Sequence, residues 1–130
     1  IYREMPLNSI WEGSGNVMCL DVLRALARTP AAIDMLLGEM HEACNADGRL
    51  RAHVVKLQER SRQLDEGQAR SFVRDLVVGL QAALLIRHAT ADVADAFSAT
   101  RLSGDGGAFG LLPAGTNVRA IIDRAAPAVN

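Results

Sequence analysis

The sequence predicts an all-α fold, an antiparallel bundle of about five helices, on three observations. Apolar residues recur at i, i+3, i+4 and i+7 in successive windows, the spacing of one helix face. Ala, Leu, Val and Arg dominate while aromatics make up only 4%, and strands would draw on aromatic and β-branched residues instead. Capping and breaking residues separate the windows by short links, which favours antiparallel neighbours. With 130 residues, 49% of them apolar, the chain can bury a core.

Residues 1–15 read as a turn-rich entry with room for a short helix, with Pro6, Gly13 and Gly15 among the apolar Met5, Leu7, Ile10 and Trp11. A first helix is expected from Asn16, which can cap it, with Val17, Leu20, Leu23 and Leu26 or Ala27 as its stripe. Thr29-Pro30 ends it, because the residue before proline is pushed out of the helical region. The same pair opens the second helix, with Thr29 as cap and Pro30 at its first position. Ile33, Leu36, Leu37 and Met40 are its apolar side, and residues 45–48 break it. Asp47 is placed to cap a third helix carrying Leu50, Val54, Leu57 and Leu64.

Asp65 and Glu66 suit the start of a fourth helix, where negative charge meets the positive end of the dipole. Its stripe runs through Ala69, Phe72, Val73, Leu76, Val77, Leu80 and Leu84, and on to Val93 and Phe97. Unbroken to Arg101, that helix would be about 55 Å long. Gly79 either bends it or admits a close neighbour. Ser103 to Gly107 ends it, and a Gly-rich loop reaches Gly115. Thr116 or Asn117 then caps a short last helix through Val118, Ile121 and Ile122, which Pro127 stops.

Several function classes lose support. The net charge is −1, whereas a strongly basic domain would predict nucleic acid. The apolar window from Leu76 to Ile86 is too short to span a bilayer, so no membrane insertion is expected. Cys19 and Cys44 have no C-x-x-C spacing and read as buried thiols rather than disulfide or metal ligands. His41, His53 and His88 lie on different helices without ligand spacing, so no metal site is expected. No Gly-Lys-Ser/Thr follows the Gly-rich loop, so it is not a P-loop.

Charge is nonetheless unevenly spread. Residues 47–62 hold Arg49, Arg51, Lys56, Arg60 and Arg62 against Asp47 and Glu59, a net of +3. Residues 30–46 hold Asp34, Glu39 and Glu42 with no Lys or Arg, a net of −3. The basic helix is either a solvated face or a phosphate-contacting one.

One carboxylate stands apart. Glu12 follows Trp11 and precedes Gly13-Ser14-Gly15. An acid beside a large apolar ring tends to have a raised pKa, which suits a base working near neutrality. The glycines allow close backbone approach to a ligand, and the helix start beyond them offers free N–H groups to an anion. Residue chemistry alone also admits a solvated Glu in a loop.

The stretch from Tyr2 to Arg24, with Trp11-Glu12-Gly13-Ser14-Gly15-Asn16 at its centre, resembles the acyl-CoA dehydrogenases. It is most similar to their AidB-like branch, the adaptive-response alkylation proteins. The close likeness covers roughly residues 1–28; beyond Pro30 it is a general likeness to the helical region that follows the dehydrogenase core in that branch. The chain does not begin with Met and reads as a C-terminal piece of a longer protein.

The resemblance implies a cytoplasmic oxidoreductase that desaturates an acyl-CoA, with Glu12 as the base and FAD as hydride acceptor. It implies FAD contacts from Ile10, Trp11, Gly13, Ser14, Gly15 and Asn16, and a homo-oligomer, a tetramer in the family. Residues 1–28 would end the dehydrogenase's helical domain, and residues 29–130 would form an additional one. The branch has also been linked to DNA binding, for which Arg49, Arg51, Lys56, Arg60 and Arg62 are the candidates. Alone, the piece is expected to be inactive and to hold FAD weakly. Trp11 and the Val17-Leu20-Leu23 stripe are expected to fold back or to self-associate.

Overall fold

The computed structural model describes residues 3, 15–103 and 111–126. The predicted all-α class holds: the described residues form six α-helices and one short 3-10 turn, with no strand. In order these are α1 (Gly15–Arg28), α2 (Ala31–His41), α3 (Gly48–Ser61), α4 (Ala69–His88), α5 (Ala91–Arg101) and α6 (Val118–Ala125).

Polar caps set most of the starts. The Asp47 carboxylate accepts from the amides of Arg49 and Leu50 and opens α3. Asp65 accepts from the Gln68 amide and starts the 3-10 turn, Glu66–Gln68, that leads into α4. Asn117 accepts from the Ala120 amide at the head of α6, and its own amide donates to Asp92 on α5 at 2.9 Å. At α2, Pro30 is already helical (φ −57°, ψ −31°) and the Thr29 carbonyl accepts from Ala32, so the pair both ends one helix and begins the next.

The predicted long fourth helix is two helices. α4 ends at His88, where Ala89 and Thr90 turn extended (ψ 175° and 152°), and α5 begins at Ala91. The Thr90 carbonyl accepts from Val93 and Ala94, and Asp92 supplies negative charge to the first turn. The physical reason for the break lies in packing. A continuous helix would carry Ala94, Ala96, Ser98 and Thr100 away from the core; folding back on α4 buries all four. Their small side chains let the two backbones run close together.

α4 is the central element, packed against α1, α2, α3 and α5. Its inner face carries the buried Phe72, Leu76, Gly79, Ala82 and Ala83. Against it lie Leu37, Met40 and Cys44 from α2 and the adjoining turn, and Leu50, Val54 and Leu57 from α3. α3 runs antiparallel to α4: His53 bonds to Asp75 while Arg60, two turns on, bonds to Ser71. α1 contributes only half-buried residues to this core, Leu23 and Leu26 among them, and leaves Val17 and Met18 exposed.

Gly79 admits close neighbours. A Cβ there would lie 3.1 Å from the sulfur of Met40 and 3.1 Å from Cδ2 of His53. Met40 is fully buried, and His53 Nε2 sits 2.7 Å from the Asp75 carbonyl, so neither neighbour can retreat freely. The absent side chain is what lets α2 and α3 approach α4 together. Gly79→Val should therefore destabilise the chain by about 1–3 kcal/mol through overpacking, read as a lower urea midpoint at unchanged slope. An unchanged midpoint would show that the α2–α3–α4 contact is loose.

Candidate functional site

Of the seven residues expected to carry catalysis or FAD contact, Gly15 and Asn16 lie among the described residues; Ile10, Trp11, Glu12, Gly13 and Ser14 lie outside them. Gly15 is the first residue of α1 and Asn16 the second. Asn16 is thus inside the helix rather than its cap. Both residues are exposed. The first turn of a helix has amides without intrahelical acceptors, so this end of α1 can face a carbonyl-rich or anionic group. A Cβ at Gly15 would meet only a guanidinium nitrogen of Arg70, at 3.7 Å, an ordinary contact. The donor set present here is compatible with a flavin.

The opening turns of α1 border a cleft of about 630 Å³ shared with the N-terminal half of α4. Cys19, Val73 and Val77 line its apolar side, with Arg70 and Arg74 beside them. Cys19 is half-buried rather than buried, because its helix α1 packs chiefly on α4; Cys44 is buried as expected, and both are free thiols. Burial pushes the Cys44 thiol up, against the opposing effect of Arg51. Among the described residues no group of His, Cys, Asp or Glu is arranged to hold a metal ion, and no helix is long and apolar enough to cross a membrane.

The five cations of the basic helix do not form one face. At about 100° per residue, Arg49, Lys56 and Arg60 fall on one side of α3, and Arg51 and Arg62 lie on the far side of its apolar stripe. Arg49 is held by Asp47 at 2.6 Å and by Asp95 of α5 at 2.7 Å. Arg51 donates to the Cys44 carbonyl at 3.1 Å, closing the turn after α2. Arg60 pairs with Asp75, donates to Ser71 at 2.7 Å and lies over the Phe72 ring, 5.8 Å from its centre. Lys56 shares a surface groove with His53, Arg74, Asp75 and Arg101. Arg62 sits at the C-terminal end of α3.

The acidic helix is answered in the same way. Arg87 of α4 pairs with Glu39 and, at 3.1 Å, with the neighbouring Glu42. These pairs join residues 48 and 45 positions apart, and Arg49 to Asp95 spans 46. Such distances made them invisible to a reading of local charge. Asp47 is the most strongly engaged carboxylate. Hydrogen bonds from the Arg49 side chain, together with the Arg49 and Leu50 amides, hold it below the ordinary carboxylate range despite its burial. Asp47 and Asp95 in turn raise the Arg49 guanidinium further.

Comparison with known proteins supports the resemblance drawn from the first residues. The chain is 37% identical over 107 residues, 82% of its length, to an Escherichia coli (strain K12) protein described as "Putative acyl-CoA dehydrogenase AidB". It spans 20% of that relative's length. The likeness to the AidB-like acyl-CoA dehydrogenases therefore extends well past Pro30, into the helical region where only a general one was expected. No family model matches the chain, and no solved structure matches it.

The depressed pKa of Asp47 has a definite sign. A carboxylate that ionises more readily when folded adds stability above its unfolded pKa, and that stability is lost as pH falls through the folded value. Asp47→Asn keeps an acceptor for the cap but loses the charge. It should be less stable than the parent by about 1–2 kcal/mol at pH 7, with the gap narrowing towards pH 3. Urea midpoints at pH 7, 5 and 3 measure this; a gap independent of pH would show that the carboxylate's charge contributes nothing.

Proposed function

We propose that this chain is part of a flavin-dependent acyl-CoA dehydrogenase-like oxidoreductase and carries its catalytic base, Glu12. The observation that carries the reading is the run Trp11-Glu12-Gly13-Ser14-Gly15-Asn16, set in a chain 37% identical over 82% of its length to an AidB protein. In this reading residues 1–28 end the dehydrogenase's helical domain and residues 29–130 form an additional one. The two parts meet at the Thr29–Pro30 turn and share the packing of α1 on α4.

Glu12 takes the α-proton of the acyl thioester, and the product is the trans-2-enoyl thioester. Bound FAD would supply the acceptor for the β-hydrogen, removed as hydride. Trp11, its neighbour in sequence, is proposed to give the carboxylate an apolar surrounding that would favour its acting as a base near neutrality. Ile10, Gly13 and Ser14 are proposed to line the cofactor together with Gly15 and Asn16, whose exposed position in the first turn of α1 supports that role. The functional unit is proposed to be a cytoplasmic homo-oligomer. The chain alone, spanning a fifth of its relative's length, is expected to hold FAD weakly and to be inactive.

The test uses the full-length, FAD-loaded protein and a series of saturated acyl-CoAs, with bleaching of the flavin band as readout. Glu12→Gln should slow that reduction about 10²–10⁴-fold while leaving the amount of bound flavin unchanged. Reduction at the parent rate would remove Glu12 from the chemistry.

A further inference from the structure

A second cavity, of about 510 Å³, lies at the other end of α1 and has no part in the reading above. Three pieces of chain enclose it: the C-terminal half of α1, the Pro30 turn into α2, and the link from Ser61 to Glu66 that joins α3 to the 3-10 turn. Its walls are apolar, chiefly Leu20, Leu23, Leu26, Ile33 and Leu64. All five are half-buried, so the bundle leaves part of each side chain open to this space. Volume and lining fall in the range of small-molecule sites, about 300–1,000 Å³ with a few polar groups on an apolar surface.

The charged groups at the mouth indicate which molecule fits. Arg24 lines the cavity, but its guanidinium donates to Asp21 at 2.6 Å, so that charge is already answered. Asp65 and Glu66 also line it, both exposed, and neither has a cationic partner among the described residues. Asp65 turns one oxygen to the Gln68 amide, which fixes its carboxylate at the head of the 3-10 turn. The result is an apolar hollow with two carboxylates at its edge that have no ion-pair partner among the described residues. An anionic guest would be repelled there, and a neutral one would gain only the apolar contact.

We propose that this cavity is a binding site for a small hydrophobic cation, an alkyl or aryl group bearing an ammonium, with the apolar body against Leu23, Leu26 and Leu64 and the charge at Asp65 and Glu66. Its concave shape suits a small molecule better than a flat protein surface. The site does not involve Glu12 or FAD, so its failure would leave the dehydrogenase reading untouched, and the reverse holds too.

Three probes with the same chain but different head groups decide the matter: octylammonium, octanol and octanoate, each titrated into the 130-residue chain with amide chemical shifts as readout. Octylammonium should bind most tightly, octanoate most weakly, with shifts centred on residues 20–33 and 61–66. Asp65→Asn/Glu66→Gln, which keeps a cap acceptor at residue 65, should cut octylammonium affinity about three- to tenfold, as expected for two exposed charges, and leave octanol unchanged. Leu23→Gln should weaken all three. Octanoate binding as tightly as octylammonium, shifts centred elsewhere, or no binding by any probe would each overturn the proposal.

Discussion

Four helices meet one. α4 touches α1, α2, α3 and α5, and its inner face runs from Ala69 through Phe72 and Leu76 to Gly79, Ala82 and Ala83. The change from large to small residues along that face is the constraint on which the bundle depends. Phe72 and Leu76 fill the space between α3 and α4 near the N-terminal half. Gly79 then lets Met40 and His53 close in from two different helices, to distances a Cβ would contest. His53 uses that approach to reach the Asp75 carbonyl, so a polar contact is built on a packing one. Close packing of this kind transmits volume changes instead of absorbing them.

Charge follows the same geometry. Seen along the sequence, residues 30–46 are acidic and residues 47–62 basic. In the bundle the ion pairs of each block reach to α4 and α5. The acids of α2 are met by Arg87 from α4, and the arginines of α3 by Asp75 from α4 and Asp95 from α5. The pairs are partly exposed and each adds little by itself. Their arrangement still fixes which way each helix is turned about its axis. It also commits Arg49, Arg51 and Arg60 to contacts within the chain, leaving Lys56 and Arg62 as the cations of that stretch without such a contact among the described residues.

Local chemistry made much of the fold readable in advance. Asp47, Asp65 and Asn117 each accept the amides their positions predict, because a cap depends only on the next few residues. The Thr29-Pro30 pair also acts locally. The boundary between α4 and α5 was not readable in the same way: it contains neither Gly nor Pro, and the apolar spacing continues across it to Val93 and Phe97. Thr90 with Asp92 two residues on was the available cap signal, but the break is driven by burial of Ala94 to Thr100 against α4, a non-local gain. The candidate site divides differently. Its residue types are strong in sequence and in resemblance, whereas the structure describes only Gly15 and Asn16 of it. The carboxylate-rimmed cavity could not be read from sequence, since its walls come from three separated segments.

With four helices packed on it, α4 is expected to be the last element to open, and α1 and α6, which bury no residue completely, are expected to open before it. Native-state hydrogen exchange measures this directly. Amides between Phe72 and Ala83 should exchange only through global unfolding, with a free energy equal to that from urea denaturation, while those of α1 and α6 should exchange through smaller openings. Amides of α4 exchanging as readily as those of α6, or α1 protected to the global limit, would contradict the account.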